Sequence, residues 1–133
     1  MNPPHPSYRT NLYWIFIWDS RYRELFDALK SYGDSESLMG QYFANLAYLR
    51  TGEKERAREF IAQNETALGA VLPSHVCFFY GFLGDADRQI LWAEKAVEAR
   101  DFYMLFSYAS PLNSASRADP RLKALWKRLG LVE

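Results

Sequence analysis

Little in this chain of 133 residues offers ready chemistry: it has one cysteine, two histidines and a formal net charge of +0. A lone Cys77 excludes an intrachain disulfide framework and suits a reducing compartment. Sixteen basic residues balance sixteen acidic ones, so no overall field draws the chain to nucleic acid or to an anionic membrane. The longest apolar run, Leu12–Trp18, is far shorter than the ~20 residues that span a bilayer. It follows no charged segment of the signal-peptide kind, so the expectation is a soluble, cytoplasmic chain without membrane insertion. There is no Gly-x-Ser-x-Gly, no phosphate-binding loop with its lysine and no His-Glu-x-x-His. His75 and Cys77 stand two apart, which points them in different directions on a helix, and His5 is the only other histidine. The acid pairs Asp85/Asp87 and Glu53/Glu55 fall at helix starts, where carboxylates favour the helix dipole. No enzyme activity, no metal and no cofactor is expected.

Large side chains, by contrast, are plentiful. The chain is 49% hydrophobic and 17% aromatic, enough for one continuous core and richer in rings than a three-layer core needs. Residues 1–7 hold Pro3, Pro4 and Pro6, which predicts an extended lead-in before a single domain over 8–133. Beyond it, apolar residues recur at helical spacing. Tyr8–Trp18 and Arg21–Tyr32 form a first pair ended by Gly33, with Asp34 or Ser35 as the next cap. Ser37–Arg50 is apolar on more than one side, as a helix between neighbours is. After Thr51-Gly52-Glu53, Lys54–Leu68 carries one stripe of Ala57, Phe60, Ile61 and Leu68. Pro73 suits a first turn, His75–Leu83 ends at Gly84, and Asp85 or Asp87 caps Arg88–Arg100 with Ile90, Trp92, Ala93 and Val97 inward. Helix pairs are thus expected over roughly 8–33, 37–69 and 73–100.

The turns at Asp19, Gly52 and Gly84 lie 33 and 32 residues apart. Four residues before them stand Ile15, Tyr48 and Tyr80, and nine after them Ala28, Ile61 and Ala93. Bulky residues on one helix facing smaller ones on the next suit a close helix hairpin. Leu12–Trp18 also fits a buried strand by composition, but it stands where a first helix belongs. The last segment reads as a capping helix over 119–130. Asp119 caps it, Pro120 opens it, Leu122, Leu125, Trp126 and Leu129 form its apolar stripe, and Gly130 closes it.

Leu83-Gly84-Asp85, Trp92-x-Glu94-Lys95-Ala96, Arg100-Asp101, Pro111, Arg117-x-Asp119-Pro120-Arg121 and Leu129-Gly130-Leu131 together resemble tetratricopeptide repeats. They are most similar to the C-terminal segment of bacterial multi-repeat proteins that sit behind cyclase, kinase or winged-helix domains. The middle repeat matches more loosely through Tyr48, Gly52, Ala57 and Ile61. The resemblance implies an all-α fold of stacked antiparallel helix pairs in a right-handed superhelix with a C-terminal capping helix. It departs from the family where the small first-helix residue becomes Asn45 and Cys77. The second-helix alanine becomes Glu24 and Gln89, and the closing proline becomes Glu36, Gly69 and Asp101. Asp19–Phe26 also echoes Asp119–Trp126.

The resemblance implies a concave face lined by first helices, which here would carry Tyr13, Phe16, Tyr42, Leu46, Arg50, Phe78 and Phe82. Such a groove, apolar with one cationic anchor, suits a peptide, a partner helix or a second copy in a homodimer. It requires Tyr42, Phe78 and Phe82 to be solvent-accessible. The opposing reading buries these rings between repeats. Three functions follow: an interaction module for a protein or peptide partner, an effector-sensing domain of a regulator that binds a small molecule, and, weakest, a nucleic-acid accessory domain using the basic last helix.

Overall fold

The computed structural model describes residues 6–101 and 119–130, with side chains from residue 8 onward. Among the described residues there are seven helices and no strand. They are α1 (Pro6–Trp18), α2 (Tyr22–Ser31), α3 (Leu38–Arg50), α4 (Lys54–Val71), α5 (Pro73–Leu83), α6 (Ala86–Glu98) and α7 (Pro120–Arg128). Of the lead-in expected over 1–7, Pro6 and Ser7 belong to α1; residues 1–5 lie outside the described part. So do Pro111, Arg117 and Leu131 of the resemblance. The segment that could have been a strand, Leu12–Trp18, is helical.

The chain divides into two compact units, residues 1–60 and 61–133. In the first, α1 packs on α2 and α3, and α2 packs on α3. The core is a ring cluster: Phe43 meets Tyr13 at 5.4 Å, Trp14 at 5.1 Å and Tyr42 at 5.3 Å between centroids. Edge-to-face contacts of this kind favour ring pairs beyond their area. Arg9 Nε and Tyr13 Oη both donate to Asp34 Oδ2, at 2.9 and 2.6 Å, tying α1 to the connector before α3. With Asp34 so occupied, the cap of α3 is neither Asp34 nor Ser35. It is Ser37, whose Oγ accepts from the Gly40 amide at 3.0 Å.

In the second unit α5 packs along α6, and α6 carries α7. Pro73 opens α5, but the residue before it, Leu72, has no side chain able to cap. Asp101 supplies the cap from 27 residues away, its Oδ2 accepting from the Ser74 amide at 3.0 Å. The position that departs from the family's proline therefore closes the α5–α6 hairpin. On α4, Glu65 accepts from Trp92 Nε1 at 2.5 Å, and the Trp92 ring lies across Gly69, where a Cβ would collide with it. Asp119 caps α7, accepting from the Arg121 amide at 2.9 Å, and Arg121 reaches Asp87 on α6 at 2.8 Å. Leu122, Leu125 and Trp126 are buried as expected, while Leu129 is half-buried.

Candidate functional site: three recurring helix stops

One local geometry closes α2 at Gly33 and α6 at Arg100, and it also ends α1, α3 and α5, where its spacing is regular. Ser20, Gly52 and Gly84 all have positive φ (58°, 101° and 81°) and follow one another at 32 and 32 residues. Around each, the amide of the next residue bonds back to the carbonyl five earlier. Arg21 N reaches Phe16 O at 2.8 Å, Glu53 N reaches Tyr48 O at 2.8 Å, and Asp85 N reaches Tyr80 O at 3.0 Å. The left-handed residue itself bonds three back, to Ile17, Leu49 and Gly81. This is the Schellman helix stop.

The first turn is therefore centred on Ser20 rather than Asp19, which corrects the register of the first helix pair by one residue. Phe16, not Ile15, is the counterpart of Tyr48 and Tyr80. Leu29, not Ala28, is the counterpart of Ile61 and Ala93, and all three of these are buried. Leu25, not Glu24, corresponds to Ala57 and Gln89, again all buried.

At the stops of α1, α3 and α5 an arginine lies over the aromatic ring. Arg21 stands 5.3 Å from the Phe16 centroid, Arg56 3.8 Å from Tyr48 and Arg88 5.7 Å from Tyr80. The same arginines bridge to an acid three residues away. Arg56 reaches Glu53 and Arg88 reaches Asp85, each at 3.7 Å, while Arg21 pairs with Glu24 in the reverse order. A helix start thus presents a carboxylate and a guanidinium beside an aromatic ring near the end of the preceding helix, with the two charges exchanged at the first stop.

The seven candidate partner-binding residues take different places. Tyr13, Phe16, Tyr42 and Leu46 are buried in the first unit and Phe78 is buried in the second. Phe82 is half-buried and Arg50 is exposed. The expectation that Tyr42 and Phe78 are accessible is corrected: Tyr42 sits between Trp14 and Phe43, and Phe78 lies 5.9 Å from the buried His75 ring. Rings on α3 lie against α1 and α2 and those on α5 against α6, so there they fill the core. Solvent does reach a set that sequence reasoning missed: Tyr8, Ile15 and Trp18 on α1, at 71%, 49% and 44% exposure. Their spacing was readable once α1 is helical, since 8, 11, 15 and 18 share one face.

Electrostatics follow burial. Desolvation lowers the His75 imidazole to about 4, against a smaller opposing effect of Asp101, and raises the Cys77 thiol to about 12. Burial, with a hydrogen bond to Glu65, pushes Tyr80 up to about 12. Burial and the Asp34 carboxylate raise Tyr13 likewise. Ser74 Oγ lies 3.3 Å from His75 Nδ1 and Asp101 is adjacent, but Ser74 and His75 are fully buried and the carboxylate holds the Ser74 amide. Ser74 and His75 thus open α5 within the core, and the half-buried Asp101 carboxylate caps it from the far end of the hairpin. Among the described residues, no group of three or more His, Cys, Asp or Glu side chains could hold a metal ion. No described helix is long and apolar enough to cross a membrane.

No protein-family model, curated protein or solved structure matches the chain.

Proposed function

We infer that the chain is a non-catalytic interaction module of the tetratricopeptide-repeat kind, with its helix pairs stacked in a right-handed superhelix that binds a peptide or a partner helix. The observation that carries this reading is the helix stop repeated at 32 and 32 residues, each time with an aromatic residue under an arginine. Repetition of a supersecondary unit at this period is the mark of helical-repeat binding proteins. The buried candidates Tyr13, Phe16, Tyr42, Leu46 and Phe78 are scaffold in this reading. Binding falls to side chains that solvent reaches two residues before each left-handed position: Trp18, Arg50 and Phe82. In residues 1–60 an aromatic residue and a cation suit a segment with an acidic residue beside an apolar one, and in residues 61–133 Phe82 offers an apolar contact of its own.

Selection of displayed peptides against the full chain tests the reading, followed by calorimetry of the enriched sequences. Arg50→Glu and Phe82→Ala should each weaken binding by at least ~10-fold with the circular dichroism spectrum unchanged. Failure to enrich any peptide, or binding indifferent to both substitutions, would overturn it.

A further inference from the structure

The outer face of α1 stands apart from its counterparts in the same register. Twelve and five residues before the left-handed position, α1 carries Tyr8 and Ile15, which are 71% and 49% exposed. The matching residues of α3 are Gly40 and Ala47, both buried, and Phe79 at the second position of α5 is buried too. A face that is covered on later first helices is thus open on α1, and it is apolar. Tyr8, Asn11, Ile15 and Trp18 lie along one stripe that rises about 15 Å over ten residues. The one charged side chain among them and their α1 neighbours, Arg9, is turned away into its pair with Asp34.

We propose that this stripe is a self-association face, on which two copies of the chain pair α1 against α1 in antiparallel fashion about a twofold axis. Three observations select a second copy. First, the stripe is uncharged, so a twofold axis sets no like charges against each other, as it would for a face bearing a single charge. Second, it is nearly palindromic: pairing centred on residue 13 sets Tyr8 against Trp18 of the partner subunit and Ile15 against Asn11 of the partner subunit. Each end then makes an aromatic pair. Third, the alternative head-to-tail stack is disfavoured by α7, whose outer face exposes Lys123, Lys127 and Arg128. Setting that face on the α1 stripe would desolvate three cations against a stripe whose one neighbouring carboxylate, Asp19, already faces Arg21.

The area sets the strength. With a large ring presenting ~150–250 Å², the exposed parts of Tyr8, Ile15 and Trp18 offer roughly 350 Å² per copy. The pair then buries roughly 700 Å², below the ~1,200 Å² of a stable complex. The dimer is therefore a weak, reversible one. This inference shares Trp18 with the peptide-binding reading but does not rest on it, since a chain that binds no peptide can still dimerise through α1.

Sedimentation equilibrium of the full chain from ~10 µM to ~1 mM tests it. The mass should rise to two chains and stop there. A monomer throughout, or growth past two chains, overturns the proposal. Ile15→Lys should weaken association at least ~10-fold with the thermal melt unchanged, because residue 15 is half open in the free chain. Mixing the Ile15→Lys chain with an Asn11→Glu chain should restore a heterodimer that neither forms alone, and failure to restore it overturns the antiparallel register. Trp18 gives a readout in the native chain, since the other three tryptophans, Trp14, Trp92 and Trp126, are buried. Acrylamide quenching of tryptophan emission should fall as concentration rises through the transition. Quenching that is constant with concentration while dimer forms would place the contact elsewhere.

Discussion

The two units use the same helix stop but hold their helices together by different means. In residues 1–60 the joints are largely aromatic, with Tyr13, Trp14, Tyr42 and Phe43 in one cluster beside polar ties at Asp34 and from Gln41 to Ser35. In residues 61–133 nearly every joint also carries a directed polar bond: Glu65 to Trp92, Asp101 to Ser74, and Asp87 to Arg121. Their outer helices differ as well. The apolar face of α6 is covered by α7, whereas α1 leaves Ile15 and Trp18 open. Ring clusters supply most of their stabilisation through area and set geometry loosely, while charge-assisted hydrogen bonds fix register. The second unit should therefore be the more sensitive to single polar changes and to pH, and the first to changes of volume.

The largest expected effect is on the covering helix. Trp126 is buried with Leu122 and Leu125 on one face of α7, and Trp126→Ala should cost about 3–5 kcal/mol in the unfolding free energy of the second unit. Ile15→Ala, on the uncovered α1 face, should change stability by less than about 0.5 kcal/mol. Denaturant titrations of both variants check the contrast. Equal losses would mean that α1 is as enclosed as α7.

Next comes pH. His75 is neutral in the folded chain, with burial lowering it to about 4 from its ordinary 6.5. Between those values the unfolded chain binds a proton that the folded chain does not, so stability falls as pH drops from 7 towards 4 and is recovered above 6.5. The loss is of order 3 kcal/mol over that window and belongs to the second unit. His75→Gln should flatten the slope of stability against pH in this range, whatever it does to stability at pH 7. An unchanged slope would assign the acid sensitivity to the carboxylates.

Volume offers the reverse comparison. A Cβ at Gly40 would overlap the Asp34 carbonyl, a backbone atom, whereas one at Gly69 would meet the rim of the Trp92 ring, a side chain. Gly→Ala inside a helix gains roughly 0.5–1 kcal/mol from chain entropy, which the clash must exceed. Gly40→Ala should cost about 2–3 kcal/mol and Gly69→Ala about 1 kcal/mol, measured by thermal melts. Loss of the Trp92–Glu65 bond in the second variant would show as a shift in tryptophan emission.

Much of this architecture was legible in the sequence because periodicity and punctuation agreed. Gly33, Gly52, Gly84 and Gly130 all take positive φ at helix ends, a conformation that glycine adopts without cost. The misread turn has the opposite cause: its left-handed residue is Ser20, a type that does not announce the conformation. Choosing Asp19 instead moved Ile15 into a packing position that Phe16 holds. Arg100 is left-handed too, which hid the Asp101 cap, a contact 27 residues long that no local pattern encodes. Burial of Tyr42 and Phe78 was unreadable for another reason. Helices that are apolar on several sides carry no phase telling a core ring from an exposed one.

The smallest effect tests whether the three stops are energetically alike. Arg56 lies closest to its ring, 3.8 Å from Tyr48, and Arg88 is 5.7 Å from Tyr80. The two rings differ as well: Tyr48 is half-buried, while Tyr80 is buried. Attraction between a guanidinium and a ring face weakens with distance and with hydration of the cation, and it amounts to about 0.5–1 kcal/mol at exposed sites. Arg56→Met keeps an unbranched stem over the ring and removes only the charge, so it should cost about 0.5–1 kcal/mol. Arg88→Met should cost less, about 0.3 kcal/mol, within the range of an exposed i,i+3 ion pair alone. Each arginine also bridges an acid at 3.7 Å, so the ring's share must be separated from the ion pair's. A double-mutant cycle of Arg56→Met with Tyr48→Leu isolates it. Coupling in that cycle should survive added salt, because a cation over a ring face is screened less than an exposed ion pair. Coupling that vanishes in ~0.5 M salt, or that is equal at the two stops, would mean the arginines serve the acids and merely lie over the rings.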